Sequence, residues 1–484
     1  MLNLDGTIVS QAEKIPALNK NHWRSLLASS LVISLALSAC ALEATRELSG
    51  FSFEEHPKPT KTTIQWEHID PSGQAVIFWH PYTGQREETL QEIVDEFNAD
   101  NIWSITVMAE YQGYYGEIFD KMLSVLNTPE APNLVVAYQD QAAAYYQIDA
   151  GLIDMNLLID NSQWGLSEVD RADFFPAAWR QDIFPTYSYA RLGLPSNRSM
   201  EVMYYNAEWL AELGYSRPPA TPSEFKEIAC KAVERPFSKT AVEGSIGYEL
   251  SLDASLFASW SFAFGGDVFD YNNSQYTYDG DAVRESMTFL KDLFDSGCAA
   301  LVAGNEADDL DFGAGKLLFM IDSTANIPTI KKGVEAGAGF FWNLDAIPHS
   351  TFVPVQDIYG PSISIPRTTP EEELAAWLFL KFFVSPQVQF QWTRDSIYFP
   401  VRASVVERLS DYYSENVQYK TTLDLLEYGA HEPPAPGYDF VREKVSEAMA
   451  AIISGADVYQ TLETLNKEAN TILSEQPGSI GTHP

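Results

Sequence analysis

What most constrains this chain is an alternation, early in the sequence, of short apolar runs with segments of helical period. Residues 74–80 (QAVIFWH), 104–109 (SITVMA) and 133–137 (NLVVA) each read as a buried strand. Between them, Leu90, Ile93, Val94 and Phe97 recur at helical spacing, and Ile118, Met122, Val125 and Leu126 mark a second helix. An Ala- and Tyr-rich helix over 139–150 follows the third strand. Strand, helix, strand, helix, strand implies right-handed crossovers and a mostly parallel sheet. Ligands on such sheets sit in the loops that follow the strands' C-terminal ends. Here those loops are Trp79-His80-Pro81-Tyr82, Tyr111-Gln112-Gly113-Tyr114-Tyr115 and Tyr138-Gln139-Asp140.

The rest of the chain extends the α/β pattern. Strands are expected at 201–205, 317–321 and 362–365, and a capped helix starts at Thr221-Pro222-Ser223-Glu224. The segment 254–264 is apolar and holds Trp260, 282–295 is amphipathic, and from 371 onward the chain is chiefly helical with Pro breaks. A length of 484 residues allows two or three domains. With 31 Lys+Arg against 67 Asp+Glu the net charge is −36. That excess excludes a general nucleic-acid binder and adhesion to anionic lipid through surface charge.

The N-terminus points to export. Residues 25–39 (SLLASSLVISLALSA) form an apolar run of 15, short of the about 20 needed to span a bilayer. Lys20 and Arg24 precede it and small residues end it, which is the shape of a signal peptide over 1–39. Leu37-Ser38-Ala39-Cys40 matches the bacterial lipobox, so Cys40 is expected to carry lipid as the first mature residue. The polar, Pro-containing stretch 40–65 reads as a flexible tether.

Sequence motifs of catalysis are missing. No His-Glu-x-x-His, Gly-x-Ser-x-Gly, P-loop or Gly-x-Gly-x-x-Gly occurs, and Asp308-Asp309-Asp311 lacks the spacing of a calcium loop. No catalytic residue, metal or cofactor is expected, although 67 acids leave a glycosidase pair open. The conspicuous residues are aromatics: Trp79, Tyr82, Tyr114, Tyr115, Tyr138 and Trp260 lie at or near loop positions. Aromatic faces beside amides and acids suit sugar rings. Core or hinge packing accounts for any one of them alone; at least two are expected to line a ligand cleft.

A family resemblance gathers these features. Pro195-Ser196-Asn197, then Val202-Met203-Tyr204-Tyr205-Asn206-Ala207-Glu208-Trp209-Leu210, resembles the signature of family 1 extracellular solute-binding proteins, the receptors of bacterial ABC importers. Ser196 departs from it, standing where an apolar residue is usual. Phe312-Gly313-Ala314-Gly315-Lys316 before LLFMI, and Tyr398-Phe399-Pro400-Val401-Arg402, add to the likeness, which spans roughly 74–475. Within the family the chain is most similar to glycerol-3-phosphate and oligosaccharide binders. The resemblance implies a two-lobed periplasmic-binding-protein fold of type II, each lobe a mixed sheet flanked by helices, with the ligand cleft between them. It implies crossings near Gly193-Leu194-Pro195, Gly360-Pro361-Ser362 and Val401-Arg402. Lobe one is then 66–192 plus 362–402, and lobe two 195–360 plus 404–484.

Ligand positions follow from the same likeness. Tyr115, Ser199, Ser323 and Tyr398 match ligand-loop residues of the glycerol-phosphate branch, and Trp79 and His80 match its Trp-His. Gly360 matches a backbone contact, and Gln139 falls where that branch has Glu. Trp260 joins this set from the aromatic reading. The phosphate-binding Arg is not where it is expected: the stretch reads Pro436-Gly437-Tyr438-Asp439-Phe440, with Arg442 a turn away. A neutral carbohydrate is therefore favoured over glycerol 3-phosphate or a related phosphodiester. The expected partners are a small-molecule solute, ABC permease subunits and the membrane through the lipid anchor, with a monomeric chain on the extracytoplasmic face or in the periplasm. A secreted carbohydrate-active enzyme is the alternative of another class. Cys230 and Cys298 both fall in lobe two, and an exported compartment permits a disulfide between them, two free thiols being the alternative.

Overall fold

Leu134, Val135, Val136 and Ala137 are all buried, which a strand tolerates only when both sheet faces are covered. Alternation divides them: Leu134 and Val136 join a core with Phe78, Phe97 and Phe379, while Val135 and Ala137 join a second core with Met122 and Tyr145. The computed structural model describes residues 64–304 and 307–476. The expected signal peptide, Cys40 and most of the tether lie outside the described residues.

Five strands form the first sheet. β1 (Ala75–His80) lies between β2 (Thr106–Tyr111) and β3 (Leu134–Ala137), parallel to both. A small ribbon of β4 (Ile183–Phe184) and β5 (Ala190–Arg191) precedes β6 (Leu194–Pro195). The second sheet is built from β7 (Ser199–Asn206), β8 (Ile246–Leu250), β11 (Ala299–Leu301), β12 (Leu317–Ser323), β13 (Trp342–Asp345), β14 (Gln356–Tyr359) and β16 (Gly429–Ala430), with β9 (Phe269–Asp270) and β10 (Gln275–Tyr276) as a separate ribbon. β15 (Ser362–Ser364) returns to the first sheet, whose order is β2-β1-β3-β15-β6. The expectation of a mostly parallel sheet is corrected here. β15 pairs antiparallel with β3 and β6, because the chain re-enters this sheet from the other one.

Two strand pairs thus pass from sheet to sheet. β6 leads into β7 through Ser196-Asn197-Arg198, and β14 leads into β15 through Gly360-Pro361. A third passage lies at Tyr398–Arg402, where Phe399 bridges to Arg198 and Arg402 to Phe174. Gly360 has φ +149°, and a Cβ there would come within 3.2 Å of the Asn197 carbonyl oxygen, so close approach of the two crossing segments favours glycine.

Helices cover both sheets. Pro370–Phe383 starts on a capping box of Thr369 and Glu372 with Pro at its first position, and buries Leu374, Trp377, Phe379 and Phe383. In the second lobe, Pro222–Glu234 is capped by Thr221 and Ala254–Ala263 by Asp253. Cys230 and Cys298 form a disulfide with a Cα–Cα separation of 4.5 Å. Tyr438–Ile453 and Val458–Glu475 close the chain against this lobe, where Asn466 and Asn470 side chains accept from the Tyr278 and Tyr276 amides. Among the described residues no helix is long and apolar enough to cross a membrane.

Candidate functional site

A cavity of about 260 Å³ lies between the lobes. The first lobe contributes Tyr138, Gln139, Asp140 and Gln141, at the end of β3 and the start of helix Gln139–Gln147. This is one of the three strand-end loops at which the sequence places a ligand. Gln181, just after helix Pro176–Arg180, also lines it. The second lobe supplies Ser255, Tyr359, Glu432, Tyr438, Asp439 and Arg442.

Beside the cavity the crossing strands are tied by a buried ion pair. Arg198 and Asp182 meet at 3.3 Å with side chains 1% and 2% exposed. Arg198 also donates to the Pro361 carbonyl at 3.0 Å and to Ser362 Oγ at 3.0 Å, so one guanidinium holds both sheet-to-sheet connections. Asp182 further accepts from Ser362 Oγ at 2.8 Å and from Gln139 Nε2 at 3.0 Å. Burial pulls the Arg198 guanidinium below its ordinary range, and Asp182 opposes that fall. Sequence reading missed this pair; its one signal is a charged residue between two strand patterns, in Ser196-Asn197-Arg198-Ser199.

The expected site residues divide by position. Gln139 lines the cavity, but its amide nitrogen is committed to Asp182 and the Gly360 carbonyl. Tyr115 is half-buried with its ring 4.9 Å from that of Tyr138, edge to face. Tyr398 is half-buried, with the Arg86 guanidinium 4.2 Å over its ring. Burial holds the Tyr115 and Tyr138 phenols above their ordinary range, helped by Tyr138 at Tyr115 and by Tyr398 and Asp140 at Tyr138. Ser199 pairs with Tyr359 across β7 and β14, and Ser323 hydrogen-bonds Tyr359, so both serines stand behind a lining residue. His80 is buried and stacked on Tyr82, with Nδ1 accepting from the Tyr82 amide at 3.2 Å. Burial pushes it down to about 4, so it is neutral and away from the cavity lining. Trp79 is partly buried against the core that contains Val135 and Tyr145.

Trp260 is a correction. It is fully buried in the second lobe's core, its Nε1 donating to Tyr248 Oη at 3.1 Å among Phe225 and Phe289. Its helix, ASLFASWSFA, carries no charged residue and buries every position but Ser255, and is therefore internal.

Charge in the cavity is mainly negative. Three lining carboxyl groups, Asp140, Glu432 and Asp439, face one lining cation, Arg442. That cation is already engaged: it donates to Glu432 at 2.6 Å, Ser255 Oγ at 3.1 Å and Asp253 at 3.0 Å. Burial alone would lower Arg442, and Glu432, Tyr438 and Asp253 more than offset that, keeping it charged. Tyr438 donates to the same Glu432 oxygen as Arg442, Oε2, and Ser255 Oγ to the other, Oε1. Asp140 is pushed up to about 8, first by burial and then by Asp439, whose carboxyl it meets across the cleft. Behind them Asp357 is fully buried and raised well above the carboxylate range by burial and by Glu432 and Glu201.

Residues 92–421 match the family described as bacterial extracellular solute-binding protein. The chain belongs to that family. This solute-binding protein is 20% identical over 423 residues to the sn-glycerol-3-phosphate-binding periplasmic protein UgpB of Shigella dysenteriae, covering 82% of this chain and 92% of that one. The Rhizobium meliloti UgpB is 22% identical over 449 residues, covering 85% and 93%. Among solved structures it resembles the cyclic α-maltosyl-1,6-maltose binding protein of Arthrobacter globiformis, with TM-score 0.70, 18% identity, and 82% and 98% coverage. UgpB of Mycobacterium tuberculosis in complex with glycerophosphocholine superposes with TM-score 0.66 at 22% identity, covering 84% and 99%. These likenesses agree with the two-lobed α/β fold.

Proposed function

We propose that this solute-binding protein is the extracytoplasmic receptor of an ABC-type importer for a sugar or oligosaccharide, which it grips between its lobes and hands intact to membrane permeases. The cavity carries the reading: tyrosines from both lobes, Tyr138, Tyr359 and Tyr438, stand beside the hydrogen-bonding Gln141, Gln181 and Ser255. Such a lining offers ring faces and polar groups to a hydroxyl-rich solute. Lobe one is taken as 66–192 with 362–402 and lobe two as 195–360 with 404–484. Closure needs contacts from both lobes that the open form lacks. Tyr115, Tyr398, Ser199, Ser323, Gly360 and Gln139 support the site, directly or through the residues that line it. The protein binds without turnover, as a monomer tethered through lipidated Cys40 after removal of 1–39.

A phosphate ester is the second reading, favoured by the printed ligand of the UgpB relatives. Against it, the single lining cation is held by two carboxylates, and Asp140 and Asp439 face the same space. Thermal-shift screening against mono- and oligosaccharides, glycerol 3-phosphate and glycerophosphocholine separates the two. A shift with sugars and no product by mass spectrometry supports the receptor. A shift with glycerol 3-phosphate alone favours the second reading, and sugar turnover favours a carbohydrate-active enzyme.

A further inference from the structure

On its charged side the cavity presents the carboxyl groups of Asp140 and Asp439 and the amide of Gln181. Asp140 from the first lobe and Asp439 from the second line the same space, and the Asp439 carboxyl helps to hold Asp140 above its ordinary range. Gln181 is 3% exposed, lines the cavity, and its Oε1 has no partner. A buried acceptor left bare costs free energy until a ligand donor fills it. Arg442 draws Asp140 down only in part, and its hydrogen bonds go to Glu432, Ser255 and Asp253 rather than to Asp140 or Asp439. Glu432 is likewise used by Arg442, Tyr438 and Ser255. What remains is a pair of carboxyls, Asp140 and Asp439, that share one cavity and that no cation among the described residues ion-pairs.

We propose that the solute is a glycan carrying a protonated amine, seated with its ammonium between Asp140 and Asp439 and a further donor on Gln181 Oε1. This rests on the carbohydrate reading above and replaces the neutral sugar expected from the sequence. An ammonium brings three donors and one positive charge, which answer two carboxyls and an unpartnered amide oxygen. It favours the ionised form of Asp140, so binding near neutral pH is expected to release a proton. It also joins the lobes, because its two counter-charges belong to different lobes. The net charge of −36 draws cations toward the surface over longer range.

The test is isothermal titration calorimetry of the full chain near neutral pH with paired probes: glucosamine and its β-1,4 oligomers against glucose and the matching cello-oligomers, with glycerol 3-phosphate alongside. The amine series is expected to bind at least about tenfold more tightly than its hydroxyl twin, as charge-assisted hydrogen bonds allow. Its heat should change with the buffer's ionisation enthalpy, reporting proton release. In Asp439→Asn, at an exposed position, the ratio of amine-series to hydroxyl-series affinity measured in the same variant should fall to near parity. Equal affinity for both series, or a preference that survives Asp439→Asn, overturns this inference and leaves the carbohydrate reading standing. Binding of glycerol 3-phosphate with no sugar bound overturns both.

Discussion

Replacing Arg198 with alanine attacks the point where the two lobes are joined. The guanidinium is 1% exposed and ties Asp182, Ser362 and the Pro361 and Asn197 carbonyls into one cluster. Removing one partner of a buried ion pair costs about 3–5 kcal/mol, because the other charge stays desolvated. Asp182 would retain Gln139 Nε2 at 3.0 Å and Ser362 Oγ at 2.8 Å, so the lower end, about 3 kcal/mol, is expected. For a chain of this size that lowers the melting temperature by roughly 3 °C. The assay is urea and thermal unfolding of wild type, Arg198→Ala and the double variant Arg198→Met with Asp182→Leu. The double variant carries no orphaned charge and should recover at least about 1 kcal/mol relative to Arg198→Ala. A single variant within about 1 kcal/mol of wild type, or a double variant no better than the single, would refute the reasoning.

Three further outcomes follow from particular contacts. The Cys230–Cys298 bond closes a separation of 68 residues, so on chain entropy Cys230→Ser with Cys298→Ser should lose about 4 kcal/mol, read by melting with and without reductant. Tyr138→Ala should weaken solute binding about tenfold with little loss of stability, whereas Trp260→Ala should cost about 3–5 kcal/mol of stability, since its indole is core; calorimetry and unfolding on both variants check the contrast. The Asp140 carboxyl is raised to about 8, so the native state keeps a proton that the unfolded chain has lost. Its contribution therefore falls as pH rises from the ordinary Asp range, near 3.8, through about 8, and Asp140→Asn should flatten the melting temperature across that window.

Much of the architecture was legible because the strongest sequence signals are local. The β1–β3 unit announces itself by runs that fill both faces of a sheet, and Thr221 marks where a helix begins. The antiparallel entry of β15 was not readable from the early residues, since its partners β3 and β6 are far away in sequence. At the site, Tyr138 and Gln139 follow from their place at a strand end. Gln181, Ser255 and Glu432 carry no period or motif and meet only through the fold. Trp260 was misread by residue type, although its uncharged helix signals burial. Arg442 was noticed for its distance from an expected phosphate position, and its engagement by Glu432 and Asp253 needed three separate segments in space.

Small-angle scattering, with and without the solute that gives the largest melting shift, tests the two-lobed grip most directly. A smaller radius of gyration on addition, with the solute recovered chemically unaltered, is the predicted result. An unchanged profile at saturating solute, or a solute returned cleaved, would contradict it.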